Sequence, residues 1–104
     1  MFKAFDFSTS EILDWEIKQI DHALLTEQII IVRHALDAAE DDGIQPVELL
    51  KAVLVGIPIS KDLPNNALKR KAGINYEHRI EDGRWIRVKV AWIGQYAVIT
   101  VYEI

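Results

Sequence analysis

The chain contains no cysteine among its 104 residues. Disulfide bridges and thiolate metal sites are therefore excluded, which is compatible with a reducing cytosol. Strictly apolar runs are short, as at residues 29–32, whereas a transmembrane helix needs roughly 20 such residues. The first residues also lack the long apolar stretch of a secretory signal peptide. We therefore expect a cytoplasmic domain that does not contact a membrane.

The composition predicts one folded domain. Half of the residues are hydrophobic, which is enough apolar material for a core. A chain of this length fits a single domain, and no internal repeat, low-complexity tract or linker divides it. Residues 1–104 are therefore predicted to fold as one unit.

A net basic charge is also lacking, because the formal charge at pH 7 is −4. The two halves of the chain nevertheless differ in sign. Residues 1–44 carry three Lys and Arg against ten Asp and Glu, whereas residues 45–104 carry nine against six. A local basic patch can attract phosphate even when the total charge is negative. We therefore expect a dipolar surface whose more basic part comes from the C-terminal half.

Three helices are predicted in the N-terminal half. Ser8 and Glu11 have the spacing of a capping box, so the first helix is expected to begin there. An apolar face at helical spacing follows, formed by Leu13, Ile17, Ile20 and Leu24. A second helix is predicted over residues 34–42 and is ended by Gly43. A third begins at Pro46, which suits the first helical position, and ends at the next glycine.

Five segments have the pattern of strands. Residues 28–32 form a short β-branched run, and residues 57–61 form a strand that Pro58 confines to a sheet edge. Three more strands are predicted near residues 74–80, 85–93 and 96–103. The predicted fold class is α+β, with three N-terminal helices packed on a mainly antiparallel sheet of four to five strands.

The turn at residues 81–83 decides which face of the sheet His78 occupies. A two-residue Asp-Gly loop would place His78 opposite Arg87 and would mix charged with apolar residues on one face. A three-residue loop with Gly83 in the left-handed conformation would instead place His78 among apolar residues and Glu77 opposite Arg87. Burial specifies strand register strongly, so we predict the three-residue loop.

Basic and aromatic side chains of this hairpin, and of the loop before it, are candidates for RNA contact. Bases can neutralise phosphates, and an exposed tryptophan can stack on a nucleobase. The nucleic-acid-binding candidates are Lys69, Arg70, Lys71, Arg79, Arg84, Trp85 and Lys89. The alternative for them is an ordinary solvated loop and sheet face. A helix-turn-helix over residues 39–54 is excluded, because its second helix has too few polar side chains to read bases.

Two other positions are candidates for function. His34 and Asp37 lie three residues apart, so a helix could bring them together as a carboxylate-oriented general base. A structural histidine at a helix start is the alternative, and without a second histidine at helical spacing a metal site lacks support. Trp15 is a candidate for binding a protein partner, because tryptophan is enriched at interaction hot spots; otherwise it covers a loop or the N-terminal phenylalanines.

Five short motifs resemble a bacterial family known as domain of unknown function 4258. They are Arg33-His34-Ala35, Gly43-Ile44, residues 47–56, Gly83-Arg84 and residues 99–103, and the resemblance extends over about residues 10–104. The family is also similar in layout to RelE-like and BrnT-like ribonuclease toxins, which place two helices on an antiparallel sheet. That more distant resemblance implies RNA cleavage or a toxin–antitoxin setting, with basic residues and sometimes a tyrosine or histidine on the sheet.

If the domain is active, bases on the sheet would stabilise the negative charge that develops on phosphate, and a histidine or tyrosine would transfer the proton. The catalytic candidates are His34, His78, Arg87 and Tyr102, with Arg84 and Lys89 as additional bases. The chain departs from the family pattern at residues 38–42, where alanines and acids replace the usual arginines.

Two functions follow from the sequence. The first is an RNA-directed ribonuclease, or a relative that has lost the chemistry, with RNA or an antitoxin as its partner. The second is a non-catalytic interaction or regulatory module that uses its acidic helices or Trp15. Neither function implies a metal or cofactor, and the oligomeric state stays open.

Overall fold

The computed structural model describes residues 1–64 and 71–104. In chain order the elements are α1 (Asp14–Leu25), β1 (Ile29–Ile31), α2 (Arg33–Asp41), α3 (Pro46–Val55), β2 (Ile57–Asp62), β3 (Gly73–Arg79), β4 (Trp85–Trp92) and β5 (Tyr96–Glu103). The strands form one sheet in the order β1-β5-β4-β3-β2. The fold class is therefore α+β. Within the described ranges, no helix is long and apolar enough to cross a membrane.

The sheet is mixed, so the expectation of a mainly antiparallel sheet is wrong. β1 pairs with β5 in parallel, with Ile29 opposite Tyr96, whereas the other neighbouring strands are antiparallel. A short apolar run can predict that a buried strand exists, but it carries no information about the strand's direction. β1 lies between α1 and α2, where a strand was predicted, and α3 extends to Val55, past the midpoint of the chain, so the helices are not all N-terminal as expected.

Helix α1 begins at Asp14, later than the predicted capping box. Ser8 instead closes a tight turn, because its backbone N–H and its hydroxyl both donate to Asp6 Oδ1, at 2.9 and 2.6 Å. Such local side-chain bonds compete with helix formation. Glu16 accepts a hydrogen bond from the Leu13 backbone N–H at 2.8 Å, and so caps the helix start in place of Glu11.

Several local predictions for the elements that follow are confirmed. Gly43 has a φ of +67° just after α2, and Pro46 is the first residue of α3. β2 contains Pro58 and lies at the edge of the sheet. These positions share a feature: each is dictated by the backbone chemistry of glycine or proline.

The hairpin between β3 and β4 has the predicted three-residue loop. Gly83 has a φ of +97°. The Ile80 N–H donates to the Arg84 carbonyl at 2.8 Å, which closes the loop. Glu77 therefore lies opposite Arg87, as the predicted register requires. Because side chains alternate between faces along a strand, this register sorts the two strands into an apolar and a polar face.

The three helices cover the apolar face of the sheet. Tyr76, Val88 and Val98 point to this side and are almost completely buried. They form one hydrophobic core with Ile20 of α1 and Leu49 of α3. The opposite side of the sheet, called the outer face below, presents the alternate side chains, among them Asn75, Glu77, Arg87 and Lys89.

Candidate functional site

A cavity of about 440 Å³ lies on the outer face. Strands β2 to β5 all contribute to its lining, which consists of Ser60, Asp62, Asn75, Arg87, Lys89, Thr100 and Tyr102. Pairing of β4 with β5 places Arg87 opposite Tyr102 and Lys89 opposite Thr100. The sheet therefore brings two predicted bases and one predicted catalytic tyrosine together in what is called the outer cavity below.

Arg87 lies at the centre of the contacts in this cavity. Its Nη1 donates to the Tyr102 hydroxyl at 3.1 Å, and its guanidinium carbon is 5.7 Å from the centroid of that ring. On its other side Nε donates to Glu77 Oε2 at 3.1 Å, and Nη2 forms an ion pair with the same oxygen. The bonds to Glu77 and then to Tyr102 raise the pKa of Arg87. Arg87 is thus a permanent cation held beside a phenol.

Lys89 is the second cation of the outer cavity. Its Nζ lies 2.8 Å from Asp62 Oδ2 and donates to the Lys71 carbonyl at 2.8 Å. Asn75 Nδ2 donates to the same Asp62 oxygen at 2.9 Å and to Ser60 Oγ at 3.0 Å. Lys89 therefore belongs to a polar network across β2, β3 and β4.

Asp62 and Asn75 were not among the predicted site residues. Asn75 lies two residues before Glu77 on β3 and so shares its face, and the confirmed hairpin register places it opposite Lys89. Asp62 lay beyond the predicted end of β2 at residue 61, whereas the strand continues through Asp62. Because the predicted strand ended one residue too early, the carboxylate that contacts Lys89 was not identified.

Two exposed aromatic side chains lie on the outer face, Tyr102 in the lining of the cavity and Trp85 outside it. Trp85 is 42 % exposed and Tyr102 is 45 % exposed. Trp85 lies two residues before Arg87 on the same strand, and Tyr102 lies opposite Arg87, so all three share one face. Two exposed rings beside a guanidinium group form a surface on which nucleobases can stack.

Arg84, in contrast, connects the hairpin to α2. Its Nη1 donates to the Asp42 carbonyl at 2.7 Å, and its Nε donates to Asp82 Oδ2 at 2.9 Å. The hydrogen bond to Asp82 raises the pKa of Arg84. Arg84 does not line the outer cavity. Its contacts indicate a structural role at the end of α2, where a cation also interacts favourably with the helix carbonyls.

Two other predicted bases, Arg79 and Lys71, belong to the described residues. Arg79 is exposed, and its Nε makes a long hydrogen bond of 3.4 Å to the Gly83 carbonyl. Lys71 is exposed and offers its carbonyl to Lys89. Lys69 and Arg70, which were also predicted to contact RNA, lie outside the described residues.

The two predicted catalytic histidines lie away from the outer cavity. His34 is exposed near the start of α2, and in the described part of the chain no hydrogen bond or ion pair joins it to Asp37. His78 points toward the helices, as the predicted register requires, and its side chain is only 14 % exposed. Among the residues that the structure describes, no histidine lines the cavity that holds Arg87 and Tyr102.

His78 faces α3, where it meets Glu48. The distance from His78 Nε2 to Glu48 Oε1 is 3.7 Å. The other oxygen, Glu48 Oε2, accepts a hydrogen bond from the Glu81 N–H at 2.8 Å. Burial opposes ionisation of Glu48, but the Glu81 amide, Lys51 and His78 together lower its pKa below the usual value. These contacts join α3 to the hairpin and are structural in character.

Trp15 is 36 % exposed on α1. It borders a surface depression together with Phe2 of the N-terminal segment. The position is compatible with either expectation, a contact for a partner or a cover over the N-terminal phenylalanines.

The described residues hold no group of three or more His, Cys, Asp or Glu that could bind a metal ion. Comparisons with models of protein families, with curated proteins and with solved structures found no match for the chain. The resemblance to the family of unknown function and to ribonuclease toxins therefore stays a prediction.

Proposed function

We propose that the protein binds single-stranded RNA on the outer face of its sheet. One observation carries this proposal: Trp85, Arg87, Lys89 and Tyr102 share one face of two adjacent strands, with both aromatic rings exposed. Single-stranded nucleic acids are bound by aromatic rings that stack on bases together with cations that follow the phosphates. The resemblance to RNA-directed toxins, which would act in the cytoplasm, is consistent with this function.

The polar residues of the outer cavity suit a ribose as well as a phosphate. Ser60, Asn75 and Thr100 line the same cavity as the two bases. Hydroxyl and amide groups can exchange hydrogen bonds with a 2′-hydroxyl, which is the group that distinguishes RNA from DNA. We therefore propose RNA as the ligand in preference to single-stranded DNA.

Both cations of the outer cavity already contact carboxylates, which determines how RNA would bind. Arg87 contacts Glu77, and Lys89 contacts Asp62. Because the Arg87 pair is partly exposed to water, its net contribution to stability is small, and a phosphate can replace the carboxylate at low cost. We expect modest affinity that falls as salt rises, through the release of counterions from the RNA.

The outer cavity is better suited to binding RNA than to cleaving it with the help of a histidine. His34 and His78 lie outside the cavity, so Tyr102 is left as the proton-transfer candidate beside Arg87. The alanines and acids of residues 38–42, which replace the arginines of the family pattern, also suit a relative that keeps the fold without the chemistry. A second function, binding of a protein partner, is favoured by the exposed Trp15 beside Phe2.

The test measures binding of a labelled mixed-sequence single-stranded RNA by fluorescence anisotropy. Arg87→Gln and Trp85→Ala should each weaken binding about 10-fold, the usual loss for one phosphate contact or one stacked base. Lys51→Gln is the matched control, because Lys51 is an exposed cation on α3 at the helix-covered side. It should change the affinity less than about 2-fold.

Salt dependence distinguishes a phosphate contact from a loss of folding. Arg87→Gln should reduce the slope of log affinity against log salt by about 0.7, the contribution of one phosphate on a single strand. Trp85→Ala should leave this slope unchanged. An absence of binding at low salt, or equal affinity of all variants, would refute the proposal.

The same samples decide whether the RNA is cut. We expect the RNA to remain intact with the parent protein. Cleavage that disappears in Tyr102→Phe, with the fold verified by circular dichroism, would show a tyrosine-dependent enzyme. Cleavage that disappears in His34→Ala or His78→Ala would restore the histidine hypothesis.

A further inference from the structure

A second cavity, of about 430 Å³, lies between α1, the N-terminal segment and the turn that joins β4 to β5. Its volume falls within the range of sites for small ligands. The residues that line it include three aromatic ones, Phe2, Trp92 and Tyr96, and the acidic Glu27. It is called the aromatic cavity, and no residue that the structure describes lines both it and the outer cavity.

Three aromatic rings form one wall of this cavity. The ring centroids of Phe2 and Trp92 are 4.9 Å apart, and those of Trp92 and Tyr96 are 5.1 Å apart. The Tyr96 hydroxyl donates to the Ala4 carbonyl at 2.6 Å, which holds the innermost ring in place. Phe2 and Trp92 are both exposed, so ring surface is accessible to a ligand.

Glu27 occupies a backbone conformation that favours glycine. Its φ is +58°, and within residues 1–64 and 71–104 it is the only residue other than glycine with a positive φ. The Glu27 N–H donates to the Leu24 carbonyl at 3.2 Å and the Gln28 N–H to the Ala23 carbonyl at 2.7 Å, which is the usual termination of a helix by a left-handed residue. A glycine would adopt this backbone conformation without strain, whereas a residue with a side chain adopts it at a cost in free energy. This strained residue borders the cavity.

The charges of the aromatic cavity select the ligand. Among the described residues, no lysine or arginine lines the cavity and Glu27 forms no ion pair. An anion would be repelled by the carboxylate, and a neutral ring would desolvate the carboxylate without a partner. A cation can interact both with the carboxylate and with the faces of the rings. His22 also borders the cavity and can accept a hydrogen bond when neutral.

We propose that the aromatic cavity binds an alkylammonium or guanidinium group, with the charge at Glu27 and the carbon stem against Phe2 and Trp92. A free polyamine and a lysine or arginine side chain of a partner protein provide the same chemistry. This site does not depend on the proposed RNA binding, because the two cavities have separate linings.

The experiment follows the indole N–H signals of the three tryptophans by nuclear magnetic resonance, with the signal of Trp92 identified by Trp92→Phe. The probes are spermidine, N-acetyl-lysine amide and N-acetyl-arginine amide, with N-acetyl-leucine amide as the neutral control. Each is added to about 10 mM, because single side-chain ligands bind in the millimolar range. The Trp92 signal should move with the cations and not with the neutral probe, whereas the Trp85 signal should stay in place.

Two variants of Glu27 test the carboxylate separately from the strain. Glu27→Gln should weaken binding of the cations about 10-fold or more, because it removes the charge. Glu27→Gly should raise the melting temperature and also lose binding, because glycine suits the backbone but carries no carboxylate. Glu40→Gln changes an exposed acid on α2 and is the matched control, with unchanged affinity expected.

A Trp92 response to the neutral probe equal to that for the cations would overturn the proposal. So would unchanged affinity in Glu27→Gln, or no response to any cation. Tighter binding of spermidine than of the blocked amino acids would identify free polyamines as the ligand class. The reverse order would identify a basic side chain of a protein partner.

Discussion

The two faces of the sheet hold ion pairs of similar composition in different ways. On the helix-covered face, Lys61 Nζ lies 3.0 Å from Glu16 Oε1, and both side chains are 0 % exposed. On the outer face, Arg87 and Glu77 form an ion pair in which the side chains are 32 % and 23 % exposed. Water therefore reaches one pair and not the other.

This difference in exposure separates a structural ion pair from an exchangeable one. Glu16 also accepts hydrogen bonds from the backbone N–H groups of Asp6 and Leu13, at 2.9 and 2.8 Å, and Lys61 donates to the Asp6 carbonyl at 2.8 Å. A buried pair is tolerated only when further hydrogen bonds offset the loss of hydration. The outer pair keeps part of its hydration, so Arg87 can exchange its carboxylate for a phosphate.

The largest expected effect is the loss of one partner of the buried pair. Lys61→Met leaves the Glu16 carboxylate buried without a counter-charge, and should lower the free energy of unfolding by about 3–5 kcal/mol. Arg87→Met is the matched change in the part-exposed pair of the outer face, and should lower it by about 1 kcal/mol or less. Urea unfolding followed by circular dichroism measures both values.

The double variant Glu16→Gln with Lys61→Met provides the control for this first prediction. It contains no unpaired buried charge, so it should recover part of the stability lost in Lys61→Met. Equal losses for Lys61→Met and Arg87→Met would mean that exposure does not distinguish the two pairs.

The burial of Lys61 illustrates what the sequence of β2 could not predict. Ile57, Ile59 and Lys61 alternate along the chain and would lie on one face of a regular strand. In the structure both isoleucines are exposed and Lys61 is buried. The register shifts between Pro58 and Ser60, and such a bulge changes the face of the residues that follow it. Nothing in the residue pattern marks this position, so the buried ion pair could not be predicted.

The hairpin of β3 and β4 was predictable, because its two registers differ in how much apolar surface they bury. The predicted pairing of Glu77 with Arg87 and the inward position of His78 are both confirmed. The approach of Tyr102 to Arg87 depends on β5, whose pairing with β4 shifts between Lys89 and Val90. The location of the outer cavity therefore depends on long-range strand pairing. The alternation of polar and apolar residues along one strand does not determine this pairing.

The next largest effect compares two tyrosines on the helix-covered side. The Tyr96 hydroxyl donates to the Ala4 carbonyl at 2.6 Å and accepts from Gln19 Nε2 at 2.7 Å. In the described part of the chain, the buried Tyr76 hydroxyl has no hydrogen-bond partner. Tyr96→Phe should therefore lower the free energy of unfolding by about 1–2 kcal/mol, whereas Tyr76→Phe should leave it unchanged or raise it. A larger loss for Tyr76→Phe in urea unfolding would contradict this expectation.

A smaller effect is expected at the turn that sorts the two faces. Gly83 has a φ of +97°, so Gly83→Ala introduces a Cβ in a conformation that L residues rarely adopt. The free energy of unfolding should fall by about 1 kcal/mol. Glu81→Ala changes an exposed residue of the same loop and should cost less than about 0.5 kcal/mol. If the two variants are equally stable in urea unfolding, the left-handed residue does not determine the register.

The smallest effect concerns pH and the carboxylate that joins α3 to the hairpin. The folded-state pKa of Glu48 lies below its ordinary value of 4.5, because the Glu81 amide, Lys51 and His78 outweigh the effect of burial. The unfolded chain therefore binds this proton at higher pH than the folded chain does. The contribution of Glu48 to stability is complete above pH 4.5 and is lost as the pH falls through the folded-state pKa.

Glu48→Gln tests this contribution directly. The variant should be less stable than the parent at neutral pH, by about 1 kcal/mol or less, because the Glu81 N–H keeps an acceptor but loses a charged one. The difference should shrink as the pH falls below 4.5, where the parent protonates Glu48 as well. Urea unfolding of both proteins across this range measures it, with Glu40→Gln on the exposed side of α2 as the control. A stability difference that stays constant with pH would show that Glu48 acts through its shape and not through its charge.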